Sequence, residues 1–256
     1  HIYDPVGKCI YCGSKSNLTD EHIVPYGLGG KIILPKSSCK KCAKITSKFE
    51  LSVLRGSMQL ARVYRNIQSR NKHDTAPDKF SVQIENANNL KLIDTTFSEY
   101  PILVNFPFFP IPGYLLGREK RKGIDLKGIV TISFGKRPDD IMGSNNADKL
   151  KIEIKADKPN EFARMIAKIA FSMAVATGAF ENIDYSKSFV LPSILGEEDD
   201  IGHWVGTFTE PLIASKYHLH RVLIYRDNEK GLLIGDIQIF CDIETPRYGV
   251  ILSKVK

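Results

Sequence analysis

Apolar and β-branched residues alternate or run together in short blocks along most of this chain, and helical spacing is confined to two stretches. The short blocks at 80–84, 102–106, 129–134 and 150–154 predict strands, as do 222–226, 232–240 and 248–252. Residues 227–231 (DNEKG) predict a hairpin turn, and 27–30 (GLGG) a tight turn leading into a strand at 31–34. The first helical stretch is 40–70, broken near Gly56. The second is 159–177, with Pro159 in its first turn, Gly178 at its C-cap and an apolar stripe of Phe162, Met165, Ile166, Ile169, Ala170 and Met173. Residues 100–117 hold four prolines and read as irregular or edge structure. The polar stretch 71–79, with Pro77, reads as a linker.

Composition adds a boundary. A length of 256 residues, 43% of them hydrophobic, fits one large domain or two. No apolar run approaches the roughly 20 residues of a membrane span. Residues 1–7 lack the charged and apolar regions of a signal peptide, so the expected location is cytoplasmic. The net charge of +7 is unevenly placed: residues 31–72 hold eleven basic side chains and one acid, Glu50. Residues 1–72 carry +9 and the rest −2, an asymmetry that points to a polyanion such as a phosphate backbone. The expected division is 1–72, a linker at 73–79, and an α/β domain at 80–256 that binds substrate, a signal or a partner.

Four of the five cysteines form two CxxC pairs, Cys9/Cys12 and Cys39/Cys42. Two such pairs complete a tetrahedral thiolate site with no open position, which makes a bound zinc structural. The metal replaces the core that about 40 residues cannot build. Cys241, in an apolar strand, reads as a buried thiol.

Between the knuckles lies Glu21-His22-Ile23-Val24-Pro25, followed by Gly29-Gly30. Framed by the two CxxC pairs, this resembles the HNH (ββα-metal, or His-Me finger) endonuclease superfamily over about 50 residues. The stretch CAKITSKFE with VLRG close behind resembles a bacterial subgroup of it. The resemblance implies a zinc-stapled ββα-metal module; the strand-rich pattern beyond residue 80, with one main helix, adds a mixed α/β domain with an antiparallel-rich sheet, giving an α+β fold. It also implies hydrolysis of phosphodiester bonds in nucleic acid, DNA being the first expectation and RNA staying open, with His22 as general base and Glu21 as ligand of a catalytic Mg²⁺ or Mn²⁺. Neighbours on a strand point to opposite faces, so a bulge or strand end must bring Glu21 and His22 together. Bacterial proteins of this kind serve restriction, phage defence or mobile elements, by analogy only.

Two positions depart from the family pattern. The asparagine that orients the base is missing from residues 34–38, and Ala43 stands where a second metal ligand is usual. Thr46, Ser47 and Glu50 share the helical face of Ala43, and Glu50 is the acid expected to complete the divalent site. Lys40, Lys41, Lys44, Lys48 and Arg55 are the expected nucleic-acid contacts, with Arg62 and Arg65 as further candidates for clamping phosphates. His203, His218 and His220 read as packing or surface residues. Two other readings stay open: a catalytically inactive zinc-ribbon nucleic-acid-binding protein, and an interaction protein that works through 80–256. A homo-oligomer or a regulatory partner is open as well.

Overall fold

The computed structural model describes residues 1–68, 80–87, 89–152, 154–155, 158–209 and 214–255; the expected linker, 73–79, lies outside them. Strands β1 (Leu18–His22) and β2 (Ile33–Cys39) form an antiparallel ribbon. Cys39 ends β2 and caps helix α1 (Lys40–Arg55), giving a ββα unit. The turn between the strands depends on glycine. Gly29 has φ +85°, and a Cβ on Gly30 would lie 1.9 Å from the Val24 carbonyl oxygen. The turn consumes the residues before Ile33, so β2 starts later than the expected 31–34 and runs on to the second knuckle. The expected break falls at Gly56, and α2 (Gln59–Tyr64) follows it.

Beyond residue 80 come β3 (Phe80–Asn86), β4 (Asn89–Thr95), β5 (Ile102–Phe108), β6 (Gly128–Phe134), α3 (Pro138–Ser144) and β7 (Lys149–Lys151). Then follow α4 (Pro159–Ala176), α5 (Leu191–Leu195), α6 (Ile201–Trp204), β8 (Val205–Phe208), β9 (His220–Asp227), β10 (Leu232–Ile239) and β11 (Arg247–Lys254). Among the described residues the named strands pair antiparallel, in the orders β8-β11-β10-β9, β4-β3-β7 and β5-β6. The 227–231 turn joins β9 to β10 as expected.

Helix α4 differs from its reading as a one-sided amphipathic helix. Its residues from Met165 to Ala174 are all buried, Lys168 and Ser172 among them. It packs against the four-stranded sheet and also against α1, so both flanks face protein. One apolar core therefore runs from Cys9 through α4 to Leu252. Among the described residues no helix is long and apolar enough to cross a membrane.

Candidate active site

The four cysteines Cys9, Cys12, Cys39 and Cys42 are brought together, with all sulfurs within 4.8 Å of one another. Cys12 and Cys39 are 3.6 Å apart, far beyond a disulfide bond and close to the edge of about 3.8 Å for a tetrahedron with 2.3 Å zinc–sulfur bonds. The donor set and its spacing fit zinc. The first knuckle closes through Gly13 N–H on the Cys9 carbonyl at 2.8 Å. The Cys39 thiol is held down to about 7: burial opposes the thiolate, and the Cys42 amide and neighbouring thiols outweigh it. Tyr11, inside the first knuckle, is buried and hydrogen-bonds Ser172 of α4 at 3.2 Å.

The strand bearing Glu21 and His22 is irregular just before that pair. Pairing passes from Thr19 opposite Ser38 to Glu21 opposite Leu34, so Asp20 alone faces Pro35, Lys36 and Ser37. Lys36 takes φ +45°, and its amide donates to Asp20 Oδ1 at 3.0 Å. Past this bulge, Glu21 and His22 line one cleft of ≈ 370 Å³ together with Ala43, Thr46, Ser47 and Glu50 of α1. The His22 ring meets Tyr26 edge-on, 5.6 Å between centroids.

The carboxylates share a cation that sequence reasoning did not single out. Lys168 of α4 is 1% exposed, and its ammonium pairs with Glu21, itself 7% exposed, and with Glu50 at 2.9 Å. It also donates to the His22 carbonyl, and to that of Ile23 at 3.3 Å. Burial pulls an ammonium down, but the two carboxylates outweigh it and hold Lys168 above the ordinary lysine value. Removing one partner of such a buried pair costs about 3–5 kcal/mol. The signal was present in the sequence: Lys168 is the one charge between Met165 and Phe180.

Two further ties fix the loop after His22, through Arg62 and His220, and a third, through Arg65, fixes the end of α2. Arg62 is buried and donates to the carbonyls of Gly27 and Leu54. Arg65 pairs with Asp242 and lies 4.7 Å over the Phe240 ring. His220 accepts the Phe240 amide on Nδ1, so Nε2–H donates to the Leu28 carbonyl at 2.7 Å. Burial holds His220 down to about 4, which keeps it neutral. The reading of Arg62 and Arg65 as phosphate clamps is thus corrected, because both guanidiniums are engaged inside the protein. Of the serines near the missing asparagine, Ser37 donates to the Leu34 carbonyl at 2.6 Å. Ser38 Oγ is buried with no hydrogen-bond partner among the described residues. His203 packs edge-on against Trp204, and Cys241 is buried as expected.

Lys40, Lys41, Lys44, Lys48 and Arg55 are exposed. All but Lys40 line a groove beside the cleft, joined by Lys155, Lys158 and Arg164 from the second half of the chain. That makes seven basic side chains and one acid, Glu161. Leu51 and Arg55 line both the groove and the cleft. Arg164 is partly committed: its guanidinium lies 4.8 Å over Phe49 and donates to the Ile194 carbonyl at 2.8 Å.

Residues 9–53 match a family model described as HNH endonuclease. No curated protein and no solved structure matches the chain. Over residues 9–53, therefore, the chain is similar to the HNH endonuclease family, and four cysteines close that stretch in an arrangement that fits zinc.

Proposed function

We propose that this protein is a metal-dependent endonuclease that hydrolyses phosphodiester bonds in nucleic acid, DNA in preference to RNA, with His22 as general base. The observation that carries the reading is the meeting of His22, Glu21 and Glu50 in one cleft at the end of a basic groove. The donor chemistry suits Mg²⁺ or Mn²⁺: two carboxylates already converge on one cation, and hydroxyls of Thr46 and Ser47 lie nearby. Glu21 and Glu50 are the proposed ligands. An ion bound there supplies positive charge to the scissile phosphate and the leaving oxygen.

The chain's own residues do the rest. His22 takes a proton from water, whose oxygen attacks phosphorus as the bond to the leaving oxygen breaks. Tyr26 limits the swing of the imidazole, and Lys168 fixes the backbone that carries it. Lys41, Lys44, Lys48 and Arg55 grip phosphates, joined by Lys158, while Lys155 is held by the Arg55 carbonyl and Gln59. The competing reading, an inactive zinc-ribbon nucleic-acid binder, draws on Ala43 and on the ion pairs that Lys168 makes with both carboxylates.

Supercoiled plasmid and RNA, incubated with the pure chain in Mg²⁺, Mn²⁺ or chelator, separate the readings. Cleavage with either ion supports the enzyme; binding without cleavage supports the inactive binder. Two further results are expected. Glu50→Gln raises the Mg²⁺ concentration for half-maximal cleavage about tenfold, as the loss of roughly 1.4 kcal/mol in ion affinity gives, while zinc content stays at one per chain. An unchanged Mg²⁺ requirement removes Glu50 from the ligand set. Replacing Lys44 and Lys48 together with glutamine lowers the slope of log affinity against log salt by about 2 on duplex DNA, since each phosphate contact contributes about 0.9. An unchanged slope in fluorescence anisotropy places the contacts elsewhere.

A further inference from the structure

Lys168 is buried, yet it belongs to neither the zinc site nor the basic groove. An ammonium has three protons, and here four oxygens surround it: carboxylates of Glu21 and Glu50 and the carbonyls of His22 and Ile23. The carboxylates are those assigned above to a divalent ion. The carbonyl is that of the residue assigned as base. The lysine reaches the site from α4, 146 residues away from His22 in sequence. We propose that Lys168 is a resident cation and positioning residue of this site: it competes with the divalent ion for Glu21 and Glu50 and fixes the backbone that aims His22. The inference rests on the reading of Glu21 and Glu50 as divalent-ion ligands.

The two roles give effects of opposite sign. Two carboxylates without the ammonium attract a divalent ion more strongly, because a nearby like charge has been removed. The same loss frees the His22 carbonyl, so turnover falls. Loss of a lysine that merely stabilised the fold would weaken ion binding and turnover together.

The test is Mn²⁺ binding to the zinc-loaded full chain, read from the electron paramagnetic resonance signal of free Mn²⁺. Lys168→Gln keeps a hydrogen-bonding head without the charge, and Lys168→Met removes both. Each is expected to bind Mn²⁺ at least tenfold tighter than the wild type, and adding Glu50→Gln cancels the gain. At saturating Mn²⁺, kcat of the single variants falls about tenfold with KM for DNA unchanged. Equal or weaker Mn²⁺ binding in variants that retain zinc and native circular dichroism overturns the proposal. If neither variant folds, the wild type carries the test: diamagnetic Mg²⁺ should shift the ¹⁵Nζ resonance of Lys168 as its carboxylate partners are taken, and an unchanged resonance at saturating Mg²⁺ overturns the competition. The binding arm needs no cleavage. Tighter Mn²⁺ binding in a chain that cuts nothing keeps the Lys168 inference and defeats the nuclease reading; normal cutting with unaltered Mn²⁺ binding does the reverse.

Discussion

Replacing His22 with alanine is expected to lower cleavage by about 10²–10⁴, the usual contribution of a positioned general base. The fold should not notice. The imidazole is half-buried at the cleft wall, and it is the His22 carbonyl, which alanine retains, that Lys168 holds. Zinc content, melting temperature and nucleic-acid affinity should therefore match the wild type. Single-turnover cleavage at saturating Mg²⁺ checks this without interference from product release. Equal rates in the two proteins remove His22 from the mechanism, and a joint loss of rate and zinc makes it a structural residue.

Stripping the four-cysteine site is expected to be as severe by a different route. Structural zinc contributes about 10–16 kcal/mol in small modules near neutral pH, comparable with the whole stability of a domain, roughly 5–15 kcal/mol. Cys39 ends β2 and caps α1, so losing its ligand role disorders the ββα unit at its joint. Cys39→Ser with Cys42→Ser should abolish zinc binding and cleavage. Residues 1–56 should then exchange amide hydrogens rapidly, while the sheet that holds β10 stays protected. Metal analysis of the wild type should give about one zinc per chain. A folded chain without metal, or with two disulfides there, contradicts the assignment.

The parts of the site that were legible in the sequence are those written locally. The CxxC pairs and the Glu21-His22 step are set by spacing within a few residues, and Gly56 breaks its helix by its own backbone preference. The strands around β10 were legible because buried faces impose alternation or apolar runs. Strand β4 was not, although Leu90 and Leu92 alternate with Asn89 and Lys91: it is an edge strand whose leucines stay exposed, so its alternation marks no buried face. The stripe drawn along α4 missed Lys168 for a related reason. Helical periodicity finds the face turned to one partner, whereas α4 is flanked on both sides, and a lone charge in an apolar run was the better signal. Arg62 and Arg65 carried the opposite ambiguity. Their charge resembles that of Lys44 and Lys48, and only tertiary contacts with Gly27, Leu54 and Asp242 separate struts from surface. Lys155 and Lys158 lie in a region of net negative charge, so a regional sum hid their place on the groove.

Nicking of supercoiled plasmid by the zinc-loaded chain, with and without added Mg²⁺ and with no chelator present, tests the central claim most directly. Nicked and linear products that need the added ion, and that the folded His22→Ala protein does not make, are the expected result. No cleavage with Mg²⁺ or Mn²⁺, or equal cleavage by the His22→Ala protein, would contradict it.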